Sequence, residues 1–149
     1  MSEPLRYFKE QFLNRKGVHL NNAGMAPVSI PVAQAALQTV ENQLELGVGA
    51  GFNWMKQIIT TRKELARFLG ANADEVAFTL NCASGLSEVA FGFPLTAKDS
   101  VVTLDQEYGS NFYPWQEACV RSGAKLLVVK STVDLQVTTE SLLNVIKPG

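Results

Sequence analysis

Histidine is nearly missing from these 149 residues: His19 stands alone. A metal centre built on imidazoles needs several, so that class of site is not expected. Cysteine is equally thin, with only Cys82 and Cys119. Two are too few to staple a secreted scaffold, and they suit a reduced, cytoplasmic protein. Runs of like charge are lacking too, and 13 basic residues against 14 acidic ones leave a net charge of −1. Binding a phosphate backbone takes clustered Lys and Arg, so nucleic acid is not an expected partner. No apolar run is long enough to span a bilayer, and the opening MSEPLRYFKEQF has no apolar centre like that of a signal peptide. Internal repeats, low-complexity tracts and clear linkers are also absent. The 46% hydrophobic and 18% charged remainder describes a soluble globular chain of a length that suits one domain.

What is present concentrates in residues 76–115, VAFTLNCASGLSEVAFGFPLTAKDSVVTLDQEYGSNFYPW. Residues 76–81 read as a buried strand. They stop at Asn81-Cys82-Ala83-Ser84-Gly85, where small side chains leave the backbone open to a ligand. Leu86, Val89, Ala90 and Phe93 recur at helical spacing, so this turn opens a helix whose first amides can hold a phosphate. A second strand over residues 100–104 ends in DQEYGSN, which brings Tyr108 towards the first turn, because ligands of open α/β sheets lie beyond the carboxyl ends of the strands.

The rest of the chain fills in around this stretch. Leu5, Phe8 and Phe12 predict an amphipathic helix over residues 4–14, docked on its own protein or a partner. His19 to Gly24 is an extended segment entering a turn. Pro31 suits a first helical turn, and Ala33, Leu37, Val40 and Leu44 mark one face of a helix ending at Gly47. The glycines of residues 47–51 follow a helix rather than a strand, so they are read as a flexible connection and not a dinucleotide loop. Trp54, Ile58, Thr61, Leu65 and Phe68, widened by Met55 and Ile59, predict a core-facing helix against a sheet, stopped at Gly70. Trp115, Ala118, Cys119 and Ser122 give a helix closed by Gly123. Residues 125–130 are a third strand, and Thr138 or Thr139 caps a last helix. Alternating strands and helices imply an α/β fold with parallel pairing.

Three strings, HLNNAGMAPVS (residues 19–29), FTLNCASGLSEVA (78–90) and DQEYGSNFYPW (105–115), resemble in order and spacing the class V aminotransferases. These are pyridoxal-phosphate (PLP) enzymes of fold type I that include cysteine desulfurases and isopenicillin N epimerase-like proteins. The resemblance implies a partial three-layer α/β/α large domain with a mainly parallel sheet. Residues 1–30 would form an N-terminal helix and extended segment, and residues 31–149 the first part of the PLP-binding domain. It implies cofactor contacts at Asn81, Cys82, Ala83, Ser84 and Tyr108, and substrate-side positions at Asn22 and Gly24. It also implies an amino-acid substrate, and either a homodimer or association with a missing C-terminal half. Family members are more than twice this long, and the segments bearing their pyridine-nitrogen aspartate and Schiff-base lysine are not in this chain.

Each assignment has a plainer competitor. Asn22 and Gly24 also suit an ordinary turn, Asn81 or Ser84 a helix cap, and Tyr108 a core or surface tyrosine. Asn111 reads as a cap. Cys82 and Ala83 stand where the family has residues with a hydroxyl, so backbone donors persist while the hydroxyl contact is lost. Tyr108 replaces the histidine that desulfurases lay on the pyridine ring; it keeps the stacking and lacks the acid/base capacity. Cys82 at a helix N-terminus is a candidate nucleophile without a basic neighbour in sequence, and Cys119 is packing. None of Lys9, Lys16, Lys56, Lys63, Lys98, Lys125, Lys130 or Lys147 has a context like that of the covalent lysine. The expectation is a chain that binds the cofactor without catalysing. A non-catalytic interaction module derived from the same fold is the alternative.

Overall fold

The computed structural model describes residues 3–12 and 17–146. It divides into two compact units, Met1–Val76 and Ala77–Gly149. The first is helical: α1 (Glu3–Glu10), a single turn α2 (Asn22–Met25), α3 (Ile30–Leu46) and α4 (Ala50–Leu69). Helix α1 ends before the expected residue 14, which lies outside the described residues, and Ile30 N–H donates to Gln11 O at 2.7 Å where α3 begins. Pro31 sits in the first turn of α3, where its missing N–H costs no bond. Helix α4 stops at Gly70, whose φ of 70° lets its N–H turn back to the carbonyls of Ala66 and Arg67.

Two expectations fail in this unit. The glycines of residues 47–51 are not a loose connection. Gly47–Gly49 form a 3-10 turn, and α4 starts at Ala50. Only Gly47 takes a positive φ, so the others continue helical backbone without strain. The predicted core stripe of α4 is also largely in solvent. Its buried residues are Ala50 and Ala66, while Met55, Ile59 and Phe68 are exposed, Phe68 at 86%. The physical reason is that among the described residues this unit contains no strand for the stripe to cover.

The second unit holds α5 (Cys82–Gly92), β1 (Ser100–Leu104), α6 (Gly109–Ser122), β2 (Lys125–Val129) and α7 (Thr139–Val145). The strands pair in parallel, Ser100 opposite Lys125 through Leu104 opposite Val129. A parallel pair needs a crossover, and α6 provides it, packing on both strands and on α5. What is buried in this unit is mostly small, Ala90, Ala118 and Cys119 among them, besides Val129. Gly123 closes α6 at φ 75°, and the Thr138 hydroxyl accepts from Ser141 N–H at 3.1 Å to open α7. The predicted strand over residues 76–81 is not one. It is irregular backbone, with Leu80 94% exposed. A strand exists only where a neighbour supplies ladder partners, and among the described residues β1 and β2 pair with each other alone.

Candidate functional site

Helix α5 begins because Asn81 ends the extended chain before it. Its Oδ1 accepts from Ser84 N–H at 2.9 Å, and its carbonyl accepts from Gly85 N–H at 3.1 Å. Asn81 is therefore the cap that its plainer reading anticipated. Among the described residues no hydrogen bond takes up the N–H of Cys82 or of Ala83. The turn is close-packed: a Cβ on Gly85 would lie 3.1 Å from Thr79 Oγ1, which itself donates to Asn81 O at 3.2 Å.

Helix α6 begins just as abruptly after β1. Glu107 N–H donates to Leu104 O at 3.2 Å, and Tyr108 N–H donates to Glu107 Oε1 at 2.8 Å. Tyr108 occupies the cap position, and its carbonyl accepts from the N–H groups of Asn111 and Phe112. Asn111 is thus not the cap but the third residue of the helix, because the tight turn after Leu104 lets the helix start earlier. A Cβ on Gly109 would come within 3.0 Å of the Tyr113 ring, so glycine is what allows that ring to fold back over the helix start.

The two helices run side by side in the same direction. Ala83, Ser87 and Phe91 on α5 face Gly109, Ser110, Tyr113, Pro114 and Glu117 on α6 across a hollow of about 440 Å³. Arg121 in the last turn of α6 meets Phe91 in the last turn of α5, which puts the two C-termini at one end and the two N-termini at the other. Pro114 has no N–H, so the Ser110 carbonyl lacks its usual helical donor. Further along, Arg121 lies 4.8 Å from the centre of the Phe91 ring and holds Glu117 at 2.8 Å.

Of the five expected cofactor residues, Ala83 lines the hollow and Ser84 is half-buried, whereas Asn81 and Cys82 are exposed. Tyr108 is 78% exposed. Its ring does not line the hollow, although Gly109 and Ser110, which directly follow it, do. Sequence reading missed Ser87, Gly109 and Ser110; their signal was helical spacing from Ala83 and position just after Tyr108. Asn22 and Gly24 belong to the first unit and form the turn that their plainer reading expected. Asn21 Oδ1 accepts from Gly24 N–H at 3.0 Å, and a Cβ on Gly24 would meet Asn21 Nδ2 at 2.7 Å.

Cys82 is exposed and Cys119 buried, and burial pushes the Cys119 thiol pKa up. The described lysines, Lys9, Lys56, Lys63, Lys98, Lys125 and Lys130, are all exposed, and none lines the hollow. Lys16 and Lys147 lie outside the described residues. Among the described residues no cluster of His, Cys, Asp and Glu could hold a metal, and no helix is long and apolar enough to cross a membrane.

Residues 18–149 match the family described as Aminotransferase class-V. The chain belongs to that family. Relatives within it include a "Probable cysteine desulfurase" of Methanothermobacter thermautotrophicus, 32% identical over 123 residues, and one of Pyrococcus abyssi, 31% identical over 121. These cover 80% and 76% of this chain, and the chain spans 30% of each relative's length. Among solved structures, the cysteine desulfurase CsdA of Escherichia coli superposes with a TM-score of 0.73 at 19% identity, over 99% of this chain and 39% of its own. A C-DES mutant with glycine covalently linked to its PLP cofactor superposes at 0.72 and 18% identity, over 84% and 34%. The class V chain is therefore a partial α/β domain of fold type I, as its three strings implied.

Proposed function

We propose that this class V chain is the N-terminal part of the cofactor-holding domain of a PLP-dependent protein acting on an amino acid. The observation that carries the reading is the first turn of α5, where among the described residues no hydrogen bond takes up the Cys82 and Ala83 amides and the side chains are small enough to admit an anion. These donors and the Ser84 hydroxyl would hold the phosphate, the helix dipole would favour its charge, and Tyr108 would rest against the ring. Cysteine and alanine in place of hydroxyl-bearing residues forgo a charge-assisted hydrogen bond of about 1.5–3 kcal/mol. Bound PLP supplies an electron sink for a carbanion at the amino acid's reacting carbon. The chain's own residues bind and orient it; neither the covalent lysine nor the pyridine-nitrogen aspartate is supplied by the described residues, so the chain alone holds cofactor without turning over substrate. Asn22 and Gly24 take the substrate side in this reading. The relatives' names suggest cysteine desulfurization, while a phenol instead of an imidazole on the ring favours the aminotransferase or epimerase-like branch.

Titration with PLP, followed by absorbance, tests this directly. Saturable binding that is lost on dialysis after borohydride treatment is the expected result. Replacing Ala83 by Pro removes one donor at a position where proline suits a helix start, and should weaken binding about tenfold or more. No saturable binding would defeat the reading, and PLP retained covalently on a lysine would show catalytic capacity in this chain. The second reading, a non-catalytic interaction module, is favoured by the exposed apolar residues of α3 and α4, such as Leu37, Leu44, Met55 and Phe68. In either case the expected partner is a second copy or a C-terminal half, in a cytoplasmic setting.

A further inference from the structure

The turn that carries Tyr108 is strapped down by a segment far along the chain. Asp105 N–H donates to Val129 O at 3.0 Å, adding one rung beyond the parallel ladder. Its carboxylate reaches the residues leaving β2: Oδ1 accepts from Ser131 N–H at 3.0 Å and Oδ2 from the Ser131 hydroxyl at 3.3 Å. Beside it, Gln106 Nε2 donates to Leu135 O at 2.9 Å. These bonds join residues 26 and 29 positions apart, whereas typical side-chain bonds of this chain close within one helical turn.

The receiving loop is itself ordered. Leu135 N–H donates to Thr132 O and Thr132 N–H to Gln136 O, both at 2.9 Å, and Gln136 N–H reaches Thr132 Oγ1 at 3.2 Å. Leu135 is held at φ 58°, a conformation that residues with a branched side chain seldom take. A fixed loop therefore grips Asp105 and Gln106 from one side, while Glu107 closes the turn from the other through its bonds to Leu104 and Tyr108.

We infer that Asp105 is a positioning residue for Tyr108: through Ser131 its carboxylate sets the register of residues 105–108 at the carboxyl end of β1, and so decides where the phenol ring is presented. The inference rests on the PLP reading for the identity of the ligand that meets the ring, and on the strap alone for the positioning. Ordering the turn before a ligand arrives removes an entropy cost that an exposed turn would otherwise meet on binding.

The exchange test uses the whole chain labelled with 15N in four forms, unaltered, Asp105→Ala, Asp105→Asn and Ser131→Ala, and the titrations add Tyr108→Ala and its double variant with Asp105→Ala. Asparagine keeps an oxygen for Ser131 N–H, so it should behave as the unaltered chain. Alanine should speed amide hydrogen exchange at both Ser131 and Tyr108 by about tenfold or more without ligand, and Ser131→Ala should do so by less. In PLP titrations Asp105→Ala and Tyr108→Ala should each weaken binding and alter the circular dichroism band of bound PLP. The double variant should be no worse than the weaker single one, because both remove the same contact. Exchange that quickens at Ser131 and not at Tyr108 in Asp105→Ala and Ser131→Ala alike would overturn the inference, as would additive losses in the titration. Faster exchange at both residues in a chain that never binds PLP would defeat the cofactor reading while upholding the positioning.

Discussion

Two thiols in one small chain meet opposite surroundings. Cys82 stands exposed in the first turn of α5, while Cys119 is packed inside α6, where burial keeps its thiol protonated to higher pH. Thiolate is the reactive form. Iodoacetamide at neutral pH should therefore label Cys82 well before Cys119, and peptide mass mapping over time will show the order; equal rates would mean α6 opens readily. Asp99 offers a second test at this scale. Its Oδ2 accepts from both Thr96 N–H and the Thr96 hydroxyl at 2.7 Å, and these bonds, the hydroxyl's first, lower its pKa below the usual carboxylate value. The folded value lies below the unfolded one, so this contribution is present above the ordinary carboxylate pKa and fades as pH falls through the folded value. Followed by NMR, the Thr96 amide should move in that acid window and stop doing so in Asp99→Asn.

At the scale of elements, local stop signals explain what could be read in advance. Gly123 closes α6 with a left-handed residue, and a Cβ there would also stand 3.4 Å from Ala97 Cβ. Gly123→Ala should cost about 1–2 kcal/mol in a urea melt; an unchanged midpoint would show that the turn relaxes freely. β1, β2, α6 and the Thr138 cap of α7 were all legible because a short apolar run, a glycine or a hydroxyl marks each on the spot. Residues 76–81 were not, since the same apolar run is a strand beside a partner and loose backbone without one. The glycines of residues 47–51 misled for a related reason, as glycine permits a bend and does not require it. The start of α5 was legible in its small residues and Asn81 cap. The Asp105 to Ser131 link was invisible, because no local pattern joins residues 26 apart.

For the molecule as a whole, surface chemistry dominates. Large apolar side chains stand exposed along α3 and α4, among them Val40, Leu44, Phe52 and Phe68. So many large apolar side chains on two helices are seldom all left to water in a lone soluble protein. Sedimentation velocity over a hundredfold concentration range should show mass-action association, and Leu44→Glu with Phe68→Glu should shift it towards the single chain. A concentration-independent monomer would remove the case for a second copy.

The two-stranded sheet carries one further implication. Neither β1 nor β2 has a ladder partner other than the other strand among the described residues, so both flanks can accept an extended segment through backbone alone. Such a fold is suited to complementation in trans, in which a separately synthesised polypeptide completes the sheet with no peptide bond between the pieces.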